Sequence, residues 1–152
     1  MYIIRGLQEQ DVDCIANFEI QISVISFGDK AIIDHEFHKK KILTSKDKSG
    51  MLVISTDDSN EILGWLWMEK KKNSLTGEIY INFKSFYIAE SIRGNAIVDT
   101  LLEKGVEFSK VCGASYIVGK VHANNIPMRS LYKNHSFLPT HITMELNLDK
   151  NE

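Results

Sequence analysis

The sequence predicts a mixed α/β domain. Its core is a twisted, mixed but mostly antiparallel sheet of about six to seven strands, flanked by about four helices. Three observations predict it. Two stretches with helical spacing precede the first long apolar runs. Strand-like runs in the middle of the chain are separated by short polar turns, which makes them antiparallel neighbours. Later, an amphipathic stretch joins two strand-like runs as a βαβ unit. The order is β-α-α-β-β-β-α-β-α-β, with room for a further strand at the end.

Each element follows from its residues. Residues 2–5 are a short apolar strand. Over 11–25, Val12, Ile15, Phe18 with Glu19, and Ile22 recur at helical spacing. Residues 34–43 form a second helix, with Phe37 and Ile42 inward and Lys39, Lys40 and Lys41 outward. The run 51–55 lies between Ser49-Gly50 and a polar Asp57-Asp58-Ser59-Asn60 turn, so it is a strand. Residues 62–69 form the next strand, 70–76 a polar turn, and 78–88 a long strand carrying Tyr, Ile and Phe. Over 96–112, Ile97, Leu101, Gly105, Phe108 and Cys112 share one helical face, and Gly105 lets that helix approach a sheet closely. Residues 116–121 are a short apolar strand. Asn124 or Asn125 caps a last helix whose first turn accepts Pro127. Over 142–148, Ile142, Met144, Leu146 and Leu148 alternate, as in a half-buried strand.

Composition narrows the functional classes. The chain has 152 residues, enough for one domain over 1–152 with a sizeable core. A net charge of -2 and a pI near 6.2 give no bulk electrostatic case for nucleic acid or a membrane surface. The apolar run 62–68 is too short to span a bilayer, and no basic segment precedes the apolar N-terminus as in a signal peptide. Cys14 and Cys112 are far apart and lack metal spacing, which suits two buried thiols in a reduced cytoplasm. His35 and His38 have no visible third ligand, so no metal is expected. Lys70, Lys71 and Lys72 read as a solvated turn, and Trp65 and Trp67 as core or cleft lining on one strand face.

The most informative stretch is 88–98, Ile-Ala-Glu-Ser-Ile-Arg-Gly-Asn-Ala-Ile-Val. It reads as a strand end, a tight basic turn and a helix start. The first N–H groups of a helix lack intrahelical partners and its dipole favours an anion, so the turn is a phosphate cradle by chemistry. An isolated Arg-Gly turn also reads as a plain solvated loop. A second element follows at Asn125, Met128, Leu131, Tyr132 and Phe137.

Together these residues resemble the GCN5-related N-acetyltransferase (GNAT) superfamily. Arg93-Gly94-Asn95-Ala96-Ile97-Val98 lies on the family's acyl-CoA loop pattern Arg/Gln-x-x-Gly-x-Gly/Ala, after a strand ending in Ile88. The later residues lie on Asn-x-x-Ala-x-x-Leu-Tyr-x-x-x-Gly-Phe. Ala96, Val98 and Ser136 depart from the pattern's small residues. Backbone N–H groups hold the pyrophosphate, so Ala96 is tolerated. The effect of Val98 depends on whether its side chain points at the phosphates or into the core.

The resemblance implies a GNAT-type sheet and direct acetyl transfer from acetyl-CoA to a primary amine. It implies cofactor contacts from Tyr87, Ile88, Ala89, Arg93, Gly94, Asn95, Ala96, Ile97, Val98, Asn125 and Tyr132. Tyr132 is the implied general acid to the CoA thiolate. Asn125 and Tyr132 also read as a helix cap and a packing aromatic. No general base is assigned; His122 has the right ordinary pKa but also reads as a solvated loop residue. The acceptor is set by 20–46 and the last strands. The alternative is a non-catalytic acyl-CoA-binding or interaction module of the same fold. The alternating last strand could pair with a second copy in a homodimer.

Overall fold

The computed structural model describes residues 1–149. Strands β1 (Tyr2–Gly6), β2 (Met51–Thr56), β3 (Ile62–Lys72), β4 (Ile79–Ile88) and β5 (Tyr116–Gly119) form one sheet in the order β1-β2-β3-β4-β5. The first three pairings are antiparallel and β4–β5 is parallel. Helices α1 (Val12–Phe27) and α2 (His35–Leu43) cover one face; α3 (Ala96–Val111) and α4 (Ile126–Asn134) pack against the other. The mixed fold is the predicted one, with five strands rather than the six to seven expected.

The missing strand is 142–148. Its alternation is real, but Ile142, Met144, Leu146 and Leu148 are all exposed and the segment is not a strand. Alternation makes a segment able to pair; a strand forms only where an edge receives it.

The central strand β3 shows why both faces carry a core. Side chains alternate along it. Leu66 and Met68 enter the α3 side with Ile81, Phe83, Leu101 and Leu102. Trp65 and Trp67 enter the α1–α2 side with Val12, Ile15, Ile42 and Val53. Gly105 lets α3 close on the sheet, since a Cβ there would meet Leu66 Cδ2 and Phe83 Cζ at 3.0 Å.

The polar residue on the α1 face is Glu19. It is buried at 3% exposure. Trp65 Nε1–H donates to its carboxylate at 3.0 Å, and Lys41 Nζ from α2 approaches to 2.8 Å. A buried charge thus has both a partner and a hydrogen bond. The α2 reading needs a correction: Phe37 is exposed at 47%, and His38 takes the inward place. The inward pair His38 and Ile42 is four apart, one helical turn. His38 is satisfied there because its Nε2 lies 2.8 Å from the Ile32 carbonyl oxygen.

Two irregularities in β4 shape the site. The β3–β4 register passes from Trp67–Ser85 to Met68–Phe83, leaving Lys84 as the extra residue of a bulge. The β4–β5 ladder covers only Tyr80–Phe83 against Tyr116–Gly119, shorter than the predicted 116–121 strand. Residues 84–88 of β4 therefore have β3 on one side and a gap on the other.

Candidate active site

The gap opens into a cleft of about 280 Å³. Its walls are the end of β4, the turn before α3, the first turns of α4 and the C-terminal half of α1.

The backbone direction of β4 is fixed by one bond. Ala89 N–H donates to the Leu63 carbonyl at 2.8 Å. Amide directions alternate along a strand. Tyr87 and Ala89 therefore turn their N–H groups toward β3, and Phe86 and Ile88 turn theirs toward the gap. Of the three predicted backbone contacts, Ile88 has its amide on the open side. The Tyr87 ring instead faces α1, stacked on Phe18 with centroids 4.6 Å apart.

The turn before α3 is built by a short 3-10 segment, Glu90–Ile92, and by Gly94 at φ 83°. A left-handed φ is where glycine carries no Cβ penalty. Asn95 caps α3: its side chain accepts from Ile97 N–H at 2.9 Å, and its carbonyl accepts from Val98 N–H at 3.0 Å. Arg93 N–H donates to the Glu90 carbonyl at 3.3 Å and Asn95 N–H to the Ile92 carbonyl at 3.0 Å, so four of the six expected phosphate donors are already bonded. The N–H groups of Gly94 and Ala96 donate to no protein group among the described residues. The Arg93 guanidinium has no ion pair or hydrogen bond within the described chain and borders the cleft. Val98 is 5% exposed and packs into the α3-side core with Leu101 and Leu102, so its side chain serves packing.

On α4, Asn125 accepts from Met128 N–H at 3.3 Å as the helix cap. Two turns on, Tyr132 is buried among Phe86, Phe137 and Gly119. Burial pushes its phenol well above the ordinary tyrosine value, which keeps the hydroxyl protonated. That hydroxyl has no hydrogen-bond partner among the described residues, and Tyr132 borders the cleft.

Tyr87, Ile88, Arg93, Gly94, Val98, Asn125 and Tyr132 line one cleft. Ala89, Asn95, Ala96 and Ile97 are not among the lining residues and belong to the turn and the cap of α3. His122 also borders the cleft. Its Nδ1 accepts from Asn124 N–H at 3.1 Å. In the neutral ring the proton then sits on Nε2, so His122 presents a donor and not a base.

Sequence reasoning missed Lys84, Ser85, Phe86 and Lys120 in the lining. Lys84 is placed by the bulge, with Nζ 4.1 Å above the Trp67 ring and 3.4 Å from Glu69 Oε2. No pattern in a single sequence marks a bulge. Of the expected acceptor segment, Ile22, Ile25 and Ser26 reach the cleft. Three cationic side chains and no carboxylate line it among the described residues.

The chain is similar to known proteins in sequence model and in fold. The model of the acetyltransferase (GNAT) family matches residues 18–137. A Pyrococcus furiosus protein assigned as an acetyl transferase superposes with a TM-score of 0.77 at 21% identity, covering 97% of this chain and 100% of that one. Ribosomal-protein-alanine N-acetyltransferase from Brucella melitensis gives 0.73 at 14% identity, covering 97% and 100%. Glucosamine-6-phosphate N-acetyltransferase from Arabidopsis thaliana gives 0.73 at 15% identity, covering 98% and 99%. At such identities these structures show a shared fold and nothing of the substrate. No curated protein matches the sequence significantly. The matched family model, spanning both the α3 turn and Tyr132, makes this chain a member of the GNAT acetyltransferase family.

Proposed function

We propose that the chain acts as one N-acetyltransferase domain over 1–152, moving an acetyl group from acetyl-CoA directly to a primary amine. The observation that carries this reading is that the β4 gap, the α3 turn and the Tyr132 hydroxyl all open onto one cleft. The donor set suits acetyl-CoA. Phe86 and Ile88 amides on the open edge match an extended amide arm, by the same physics as strand addition. Gly94 and Ala96 N–H groups with Arg93 match a pyrophosphate.

The acceptor amine attacks the thioester carbonyl carbon in its neutral form. A carbon–nitrogen bond forms, the carbon–sulfur bond breaks, and the sulfur takes a proton from the Tyr132 hydroxyl. The proton lost by the nitrogen leaves to water, and the phenol recovers its own from solvent. An open-edge amide of β4 donates to the developing oxyanion. Lys120 and Arg93 lower the potential energy of anionic groups in the cleft. Two half-buried free thiols suit a reduced, cytoplasmic setting.

Calorimetric titration with acetyl-CoA, with free CoA as control, tests the first half. Thiol release over a panel of amines tests the second. Binding with turnover is expected. No binding at millimolar acetyl-CoA sinks the reading, and binding without turnover on any amine favours a non-catalytic acyl-CoA module.

A further inference from the structure

The pleat divides the cleft between the two faces of the sheet. Phe86, Ile88 and Tyr132 belong to the α3-side core, and the Arg93-Gly94 turn leads into α3 on that side. Ser85 and Tyr87 alternate with Phe86 and Ile88, so they turn to the α1 face, where the Tyr87 ring meets Phe18. Beyond β5 the same alternation holds. Gly119 lies under Tyr132 and Val121 packs into the α3-side core, so Lys120 between them takes the α1 face. Ile22 and Ile25 of α1 close that side. The groups that suit acetyl-CoA lie on the α3 side and along the strand edge, which leaves the α1-side half for the acceptor amine. To that extent this inference rests on the acetyl-CoA reading.

The α1-side half has a definite chemistry. Ser85 is 6% exposed and borders the cleft, and its hydroxyl has no hydrogen-bond partner among the described residues. A buried hydroxyl left so costs free energy until a ligand supplies a partner. Lys120 also has no ion pair or hydrogen bond among the described residues. His122 Nδ1 accepts from Asn124 N–H, so Nε2 carries a proton whether the ring is neutral or charged. The Lys84 charge, by contrast, is answered by Glu69 at 3.4 Å. No carboxylate lines the cleft among the described residues. A polyamine or a lysine-rich peptide would bring further ammonium groups into the field of Lys120 with no anion to receive them.

We propose that the acceptor is a small amine that carries its own anion, a carboxylate or a phosphate. The anion pairs with Lys120 and the His122 Nε2–H. The nitrogen lies at Ser85, beside the open Phe86 amide, and donates one N–H to the hydroxyl oxygen. Ile22 and Ile25 meet the apolar part. Charge-assisted bonds are the stronger ones, so the anion decides selection.

Calorimetry on the protein loaded with free CoA, which has no acetyl group to transfer, reads acceptor binding apart from chemistry. The probes are leucine against leucinamide, phosphoethanolamine against ethanolamine, and spermidine. The first pair isolates a carboxylate and the second a phosphate. In at least one pair the anionic member should bind about tenfold or more tighter than its counterpart, and tighter than spermidine. Lys120→Glu should abolish that preference without altering the helical circular-dichroism signal. Ser85→Ala should weaken both members of the pair alike, by about fivefold. Failure of the wild type to bind CoA sinks the acetyltransferase reading and this inference with it. With CoA bound, three results overturn this inference alone: tighter binding of spermidine, no preference within either pair, or a preference that survives Lys120→Glu. A Ser85→Ala variant that binds both members like the wild type overturns the placement of the nitrogen.

Discussion

The Tyr132 ring fills the space above the Cα of Gly119. A Cβ built on Gly119 would stand 2.5 Å from Tyr132 Cζ and 2.9 Å from Cε1, closer than real Cβ contacts allow. Phe86 and Phe137 hold the ring on its other sides, at 6.0 and 4.8 Å between centroids. Gly119 therefore positions the hydroxyl at the cleft. Gly119→Ala should cost about 1–3 kcal/mol of stability by overpacking. It should also lower kcat by roughly tenfold, for an energy near 1.4 kcal/mol in the transition state. Acetyl-CoA affinity should change less than the rate. Steady-state kinetics beside calorimetry separate the two, and an unchanged kcat in a folded variant would show that the ring has room to shift.

Tyr132→Phe removes the hydroxyl and keeps the ring packing. Because burial holds the phenol protonated, the loss is of a donor and not of a charge. The expected result is kcat lower by about 100-fold, the low end for a positioned acid, with little change in acetyl-CoA affinity. Wild-type turnover in this variant would remove Tyr132 from proton transfer.

The hydrophobic pattern made the two faces of the sheet readable. Ile97, Leu101, Gly105 and Phe108 recur with the helical period, and that period survives in the packed α3. The α1 face was readable only in part, since Glu19 falls on an apolar stripe and its reason is a partner, Trp65, that is distant in sequence. At α2, Phe37 looked inward by hydrophobicity, but a bond from the His38 ring to Ile32 sets the rotation. Within the site, the Arg-Gly turn and Asn125 with Tyr132 were legible as local motifs. Lys84 and the direction of the Phe86 and Ile88 amides were not, because a bulge and a ladder's end are properties of strand pairing. The strand expected at 142–148 does not form: its alternation is real, but the segment joins no sheet among the described residues and its apolar side chains are exposed, since alternation alone supplies no pairing edge.

Arg93→Glu puts a negative charge where the cleft opens at the α3 turn. The wild-type guanidinium has no partner in the described chain, so folding should not depend on it. Acetyl-CoA affinity should fall by about tenfold or more, the order of one charge-assisted contact. The loss should shrink as salt rises. Calorimetry at low and high salt with a thermal melt checks both halves. An unchanged affinity would place the phosphates elsewhere.

Asp11 and Arg5 form a largely buried ion pair between β1 and the start of α1. Arg5 donates to both carboxylate oxygens at 2.7 and 3.0 Å, and Gln8 N–H donates to Oδ2 at 2.8 Å. The Asp11 hydrogen bond raises the Arg5 pKa further. Asp11→Asn keeps the shape and removes the counter-charge, leaving the guanidinium its bonds to Asn60 Oδ1 at 2.7 Å and the Gly6 carbonyl at 3.1 Å, at a cost of about 1–3 kcal/mol. Urea unfolding should show the midpoint falling at constant slope. A loss under roughly 0.5 kcal/mol would class the pair with ordinary surface bridges.

Cys14 gives a test with a pH axis. Burial, then the nearby Asp11 and Glu61 charges, hold its thiol above the ordinary value of 9.0. All three causes disfavour the thiolate, so the fold prefers the protonated form. Its contribution to stability is fully present below the unfolded thiol's pKa and is lost as pH rises through the folded one. The thiolate is the nucleophile, so alkylation of Cys14 near pH 8 should be slower than that of a free thiol. In a Cys112→Ser background, the iodoacetamide rate followed by mass spectrometry should still be climbing above pH 9. Unfolding in urea should bring the rate up to that of a model thiol. A rate that levels off below pH 9 in the folded protein would mean that Cys14 is solvated, and that the α1–β1 junction around it is looser than its packing indicates.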